Sequence, residues 1–213
     1  MARIIVFGGH GKVALRLARD LTQGSDQVSS VFRNPDQSDD VAATGATPVV
    51  ADIERLDTNA LADLVTGHDA IVFSAGAGGG NPERTYAVDR DAAIRVIDAA
   101  AQAGVKRFVM VSYFGAGPDH GVPQDDPFFA YAEAKAAADA HLRDSDLDWT
   151  VLGPGRLTLE PATGRIVVGR GKGEVSRADV ALVAAAVLAD DSTIRRTIEF
   201  NNGDIPIAEA LAH

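Results

Sequence analysis

A short apolar run breaks into glycines at residue 8. Ile4-Ile5-Val6-Phe7 is followed at once by Gly8-Gly9-His10-Gly11-Lys12-Val13-Ala14, and an amphipathic stretch, Lys12–Leu21, comes next. The run Arg3–Phe7 reads as a strand buried on both faces, and Lys12–Leu21 as a helix. Few tasks ask a chain to pass from a buried strand to a helix through glycines. One is to hold a pyrophosphate, which needs backbone N–H groups brought close and gains from the positive end of a helix. Gly8 then supplies the tight turn, Gly11 lets the backbone approach the phosphate, and Ala14 lets the helix pack on the strand. A ligand-free turn is the competing explanation. The order of strand, glycine turn, helix and second strand favours the dinucleotide. Gly9, Lys12 and Val13 belong to the same loop. His10 reads more readily as a solvated side chain than as a phosphate contact.

The rest of the chain repeats the alternation. Val28–Phe32, Pro48–Ala51, Ala70–Ser74, Arg107–Ser112 and Trp149–Leu152 read as further strands. Helices are expected near Asp36–Ala43, over Thr85–Ala103 with Gly104 as its stop, and over Ala130–Arg143. Arg165–Val168 and Thr197–Phe200 read as short strands, and Arg177–Ala189 as a helix. Strands separated by helices imply βαβ units, a parallel sheet and right-handed crossovers. The expected fold is a Rossmann-like, doubly wound α/β/α domain over residues 1–213 with a short C-terminal extension. Gly76–Pro82, Gly115–Pro127 and Gly153–Gly173 look irregular. Residues 113–129 and 153–176 are the expected substrate loops, because such sheets bind ligands in loops at strand C-termini.

Composition excludes several classes. The chain carries a net charge of −10, which argues against nucleic acid or an anionic membrane as partner. It has no cysteine, so disulfides, thiolate chemistry and cysteine zinc sites are out, and no metal is expected. The apolar start is too short for a signal peptide, and no run is long enough to cross a membrane. A cytoplasmic protein with a small-molecule substrate is expected. A protein partner or homo-oligomer is not indicated.

The end of the second strand speaks to the cofactor. An acid there would accept from ribose hydroxyls and favour NAD, whereas Val31-Phe32-Arg33-Asn34 offers an arginine, whose planar fork suits the 2′-phosphate of NADP. Asp52, with Ile53 beside it, follows the third strand, where a carboxylate can accept from the adenine amine. Asp57 and Thr58 are better placed to cap the next helix. Ser74-Ala75-Gly76 ends the fourth strand with small residues, as a backbone passing close to the dinucleotide requires. Tyr131 and Lys135 lie four apart, on one face of a predicted helix. A tyrosine can give a proton to a nascent alkoxide if a nearby ammonium lowers its pKa, and the same lysine can hold the nicotinamide ribose.

These residues resemble the short-chain dehydrogenase/reductase superfamily, and most closely its atypical branch of small NAD(P)H-binding, epimerase/dehydratase-like and NmrA-like proteins. The likeness rests on Gly8–Ala14, Asp52, Asp89-Arg90-Asp91-Ala92-Ala93, Gly104–Ser112 and Tyr131–Lys135. It continues through Trp149–Thr158 and Ser176-Arg177-Ala178-Asp179-Val180-Ala181. It implies NAD(P) as cofactor and a catalytic set of Ser112, Tyr131 and Lys135, with Ser112 orienting a carbonyl. It implies that Pro154-Gly155 lines the nicotinamide pocket. Two positions depart from the pattern. Tyr113 stands where relatives often have a second serine, so either Ser112 or Tyr113 orients the substrate. Gly153 stands where relatives often have an arginine. The expected activity is hydride transfer to a small carbonyl, quinone or flavin-like acceptor. A non-catalytic NADP(H) sensor and a sugar-type epimerase or dehydratase are the alternatives. The latter is disfavoured because residues 153–213 leave no room for a large substrate lobe.

Overall fold

In the computed structural model, which describes residues 1–78, 80–169 and 171–212, the apolar runs lie side by side as parallel strands. β1 (Arg3–Phe7) pairs with β2 (Gln27–Phe32) on one side and β4 (Ala70–Phe73) on the other. β3 (Thr47–Val50) lies outside β2, while β5 (Arg107–Val111) and β6 (Asp148–Pro154) lie beyond β4. The resulting order, β3-β2-β1-β4-β5-β6, is that of a doubly wound dinucleotide-binding sheet. The strand order reverses between β1 and β4, which opens a crevice at their carboxyl ends. The glycine turn leaves β1 on one lip of that crevice, and Ser74-Ala75-Gly76 leaves β4 on the other.

Burial on both faces explains why the central strands β1, β4 and β5 are almost wholly apolar. Ile4 and Val6 pack in one layer with Leu17 of α1 (Lys12–Gln23) and Val183 of α7 (Arg177–Leu188). Ile5 and Phe7 pack in the other with Leu61 of α3 (Thr58–Val65) and Ile97 of α5 (Ala93–Ala103). Each such side chain contributes about 1.5–3 kcal/mol when fully buried. Asp57 caps α3 by accepting from the Ala60 N–H at 2.8 Å, and Gly104, at φ 73°, closes α5.

Other parts of the chain depart from the sequence expectation. β10 (Arg196–Asn202) extends the sheet in parallel beside β6, but β8 (Arg165–Val168) runs antiparallel to β10, and the two-residue β11 (Ile205–Pro206) completes a mixed edge. Part of the stretch read as irregular is ordered: β7 (Arg156–Thr158) pairs with β9 (Glu174–Ser176) as a separate ribbon. Strands of three residues are too short to show an alternation. The single helix expected over Thr85–Ala103 begins earlier, as α4 (Pro82–Thr85), passes through a π-helical segment (Tyr86–Ala92) and resumes as α5. Pro82 in the first turn and the Asn81 side chain, which accepts from the Arg84 N–H at 3.1 Å, set its start. Asp89, within the wide turn, is buried, and its carboxylate accepts from the Ala77 N–H at 2.9 Å. The helix expected near Asp36–Ala43 is a 3-10 turn, Pro35–Gln37, running into α2 (Ser38–Ala42). α6 (Phe129–Arg143) carries Tyr131 and Lys135, and α8 (Ile207–Leu211) ends the described chain. No helix among the described residues is long and apolar enough to cross a membrane.

Candidate cofactor cleft and acceptor pocket

The glycine turn has a division of labour that its spacing only partly shows. The N–H groups of Gly8 and Gly9 both bond the Val31 carbonyl, at 3.0 and 2.8 Å, and that of Gly11 bonds the Gly8 carbonyl at 2.8 Å. These amides are spent on holding the turn. The first helical bond of α1 runs from Leu15 N–H to Gly11 O, at 2.9 Å, so the first-turn amides of Lys12, Val13 and Ala14 precede the helical ladder. They are the donors a pyrophosphate would meet. Gly8 sits at φ 82°, and a Cβ there would lie 2.6 Å from the Ala75 backbone. Gly9 is pressed on β2, with a Cβ only 2.6 Å from that of Ser30. It lines neither part of the cleft, so its role is packing. Gly11 differs: its φ of −62° suits any residue, and a Cβ would meet only Gly8 O, at 3.0 Å, and Ser74 O, at 4.0 Å. Space for a ligand, not backbone geometry, is what asks for glycine there.

One end of the crevice is a cavity of about 320 Å³ that brings together Gly8, His10, Gly11, Arg33, Asp52, Ile53, Ser74, Ala75 and Gly76. The expected adenosine-side residues therefore converge. His10 contacts Asp40 at 2.9 Å, a surface pairing that accounts for it without a ligand. Asp52 accepts from the Glu54 N–H at 3.1 Å and faces Arg55 at 3.4 Å. Glu54 and Arg84, not anticipated from sequence, line the same cavity. The other end is larger, about 810 Å³, and includes Gly11, Lys12, Val13, Gly76, Asp89, Ser112, Tyr131 and Arg177. Small residues on both lips and free first-turn amides between the two cavities fit a dinucleotide lying across β1 and β4.

Ser112, Tyr131 and Lys135 converge, though not as the resemblance implies. Ser112, just past β5, is 4% exposed, and its hydroxyl donates to the Asp139 carboxylate at 2.5 Å. Lys135 is 1% exposed and lines neither cavity. Its Nζ lies 3.6 Å from Met110 Sδ and 5.8 Å from the Phe73 ring centroid, with no carboxylate in ion-pair reach among the described residues. Burial, and then the carboxylates of Asp89 and Asp139, push the Tyr131 phenol above its ordinary range. The expected lowering by Lys135 is thus replaced by a raising, because the lysine points into the core and the nearby carboxylates oppose phenolate. Asp139 is a further residue that the sequence did not single out. It stands at i+8 from Tyr131 and i+4 from Lys135, so one helix face carries all three. Burial raises its carboxyl against the pull of Lys135 and the Ser112 hydrogen bond. Its Oδ1 has no partner among the described residues.

Beyond Tyr131 lies a third cavity, of about 460 Å³. Its walls are aromatic. The ring centroids of Tyr113 and Phe128 are 5.1 Å apart, those of Phe128 and Tyr131 5.1 Å, and those of Tyr113 and Tyr131 5.6 Å. Pro154 and Gly155 line this cavity and neither part of the cofactor cleft. The Pro154-Gly155 backbone is held by packing, since a Cβ on Gly155 would overlap Asn201 and lie 2.6 Å from Gly173 O. The Tyr113 hydroxyl is buried without a partner among the described residues. Ser112, Phe128, Tyr131 and Leu157 border both this cavity and the cofactor cleft.

The fold and cleft are those of a nicotinamide-dinucleotide-binding protein of the atypical short-chain dehydrogenase/reductase type. The chain belongs to the NAD(P)H-binding family, whose model matches residues 8–191. It is similar to the uncharacterized sugar epimerase YhfK of Bacillus subtilis, at 35% identity over 98% of this chain and 98% of that one. Among solved structures it is similar to a putative NAD-dependent epimerase/dehydratase from Bacillus halodurans, at 34% identity and TM-score 0.91, covering 100% of this chain and 99% of that one. It is also similar to the oxidoreductase YlbE from Lactococcus lactis, at 29% identity and TM-score 0.88, covering 99% and 95%.

Proposed function

We propose that the protein is an NADPH-dependent reductase of a small, planar carbonyl, quinone or flavin-like acceptor. The observation that carries this reading is the shared wall: Ser112, Phe128, Tyr131 and Leu157 border the cofactor cleft on one side and an aromatic pocket on the other. Bound NADPH supplies the hydride. The first-turn amides of α1 hold its pyrophosphate, and Arg33 favours its 2′-phosphate. The aromatic rings favour a flat acceptor, which stacks on them and excludes water from the reacting face. The clustered rings of Tyr113, Phe128 and Tyr131 favour a flat face over a puckered sugar ring, and the sugar-epimerase name of the Bacillus subtilis relative is not carried over.

Tyr131 is the proton donor in this reading. A raised pKa keeps the phenol protonated at neutral pH, the state from which a general acid must start. It yields its proton only to a strong base, such as the oxygen that gains charge as a carbonyl is reduced. Ser112 spends its proton on Asp139, so the Tyr113 hydroxyl, which has no partner among the described residues, is the donor left to orient a carbonyl acceptor. Lys135 is turned toward Met110 behind Tyr131 and lines neither cavity, so it acts here through its charge on Asp89 and Asp139 and not as a ribose ligand. A chain without cysteine needs no oxidising compartment to form disulfides, which is compatible with a cytoplasmic site of action.

The test is steady-state NADPH oxidation over aldehydes, ketones, quinones and flavins, repeated with Tyr131→Phe. Carbonyl turnover that survives the substitution refutes the proton-donor role. Tight NADPH binding with no turnover of any acceptor supports a sensor instead.

A further inference from the structure

We propose that Arg84 joins Arg33 on the 2′-phosphate of NADPH, and that Glu54 is the internal carboxylate which that phosphate displaces. The inference rests on the NADPH reading above and names the residues that would enforce it. Arg33 follows β2, Glu54 lies in the loop after β3, and Arg84 is in α4, so three separated segments meet at one point. Arg33 Nη1 and Arg84 Nη2 each donate to the same oxygen, Glu54 Oε1, at 2.9 Å. The three side chains border the adenosine-side cavity.

Two guanidiniums around one carboxylate leave a positive charge over. Asp52, the other acid of this cavity, does not cancel it, because it faces Arg55 at 3.4 Å. The Nε of Arg84 is sealed from solvent and has no partner among the described residues, so a donor is also left over. The arrangement is held in place from behind. Arg95 donates to the carbonyls of Ile53 and Leu56, at 2.9 and 3.1 Å, and pins the loop that carries Glu54. Asn81 and Pro82 fix the start of α4 and with it Arg84.

A phosphate monoester suits this point better than a ribose hydroxyl. It carries close to two negative charges at neutral pH and presents three acceptor oxygens, enough to engage both guanidiniums at once. A single oxygen of Glu54 is all that the two arginines now share. Both arginines are well exposed, at 54% and 40% of their side-chain surface, so their pairing with Glu54 is weak and readily exchanged for a dianion. An NAD ribose would instead present two neutral hydroxyls, which offer the two guanidiniums far less than a dianion does. Glu54 then acts as a stand-in: it neutralises the arginines when no phosphate is present and is displaced when one binds.

Titration calorimetry with NADPH, NADH and adenosine 2′,5′-bisphosphate tests this. Arg84→Met keeps the aliphatic stem and removes the fork. It is expected to weaken NADPH and the bisphosphate roughly 10-fold or more, while NADH changes by less than about two-fold. Glu54→Gln keeps the shape and removes the competing charge. It is expected to tighten NADPH several-fold, with no gain for NADH. Unchanged NADH binding shows that each variant is folded. Equal losses for both cofactors in Arg84→Met, or weaker NADPH binding by Glu54→Gln, overturn the proposal. Arg33→Met separates the two levels. If it lowers the NADPH preference and Arg84→Met does not, the paired clamp falls and the NADPH reading stands. If neither substitution changes the preference, both fall.

Discussion

The two ends of the ligand-binding surface are built on different principles. At its centre, where a pyrophosphate would lie, the cofactor cleft is made of backbone: a glycine turn, first-turn amides and the small residues Ser74, Ala75 and Gly76, all at the ends of β1 and β4. The acceptor pocket is made of side chains: Tyr113 after β5, Phe128 and Tyr131 at the start of α6, and Leu157 in β7. Backbone recognition needs an unusual local sequence, because only glycine and small residues allow the approach. Side-chain recognition needs only that distant segments converge, and each contributes an ordinary residue. The first kind of site is therefore legible in a sequence, and the second becomes visible only once the chain is folded.

Substitutions can break this contrast or sharpen it. The largest effect is expected from Gly11→Val. Its φ of −62° suits any residue and its one tight contact is the Gly8 carbonyl at 3.0 Å, so the protein should fold with a modestly lowered melting temperature and lose NADPH binding below detection by fluorescence. Gly8→Val should instead fail at folding, since Gly8 combines a φ of 82° with a 2.6 Å approach to Ala75. If Gly11→Val bound NADPH normally, the cleft would not be a backbone site.

Tyr131→Phe comes next, with a fall of roughly 10²–10⁴ in carbonyl turnover and almost no change in NADPH affinity. For quinones or flavins, which take a proton from solvent, the loss should be small. A matching loss of NADPH affinity would mean that Tyr131 belongs to the cofactor side.

Asp179 tests whether the acceptor side has its own foundation. Ser176, at the end of β9, caps α7 by accepting from the Asp179 N–H, and the Asp179 carboxylate accepts from the Ser176 hydroxyl and from the N–H groups of Thr163 and Gly164, at 2.9 and 2.8 Å. Burial raises its carboxyl, but hydrogen bonds from Asn202, Thr163, Gly164 and Ser176 outweigh this and hold it below the ordinary value. A lowered folded-state pKa means that the stabilisation is complete at neutral pH. It drains away as pH falls below about 4 and through the folded value. Asp179→Asn should cost about 2 kcal/mol at pH 7 by urea denaturation, with a flatter loss of stability in acid. Because the network anchors β9, the KM for acceptor should rise while NADPH affinity holds. The smallest effect is expected from Phe128→Ala. Removing one aromatic wall should raise the acceptor KM about 10-fold and barely touch NADPH. Equal effects on both ligands would erase the distinction between the two ends.

The same contrast explains what was legible in the sequence. The doubly wound sheet, the cap at Asp57 and the stop at Gly104 follow from apolar runs and local turn chemistry. Residues of the glycine turn, with Arg33, Asp52 and Ser74–Gly76, meet in one crevice because the strand order puts their loops there. Within the turn, the pattern did not separate Gly9, which packs, from Gly11, which leaves room. The π-helical turn was hidden because its residues look like any amphipathic helix. Its consequence, the burial of Asp89, depends on the loop at Ala77. Tyr131 and Lys135 share a helix face as their spacing requires, but spacing does not say where an ammonium points, and Lys135 turns toward Met110. Asp139 was within reach of the same four-residue step. Glu54 and Arg84 were not, since only tertiary structure brings those loops to Arg33.

The most direct test of a backbone-built cofactor cleft joined to an aromatic acceptor pocket is NADPH oxidation by wild-type protein with planar quinones, flavins and aromatic carbonyls, run beside nucleotide sugars. The account predicts saturable NADPH oxidation with at least one planar acceptor, competitive inhibition by flat aromatic molecules against that acceptor but not against NADPH, and no conversion of nucleotide sugars. Tight NADPH binding with no planar acceptor reduced, or conversion of a nucleotide sugar with retained cofactor, would contradict it.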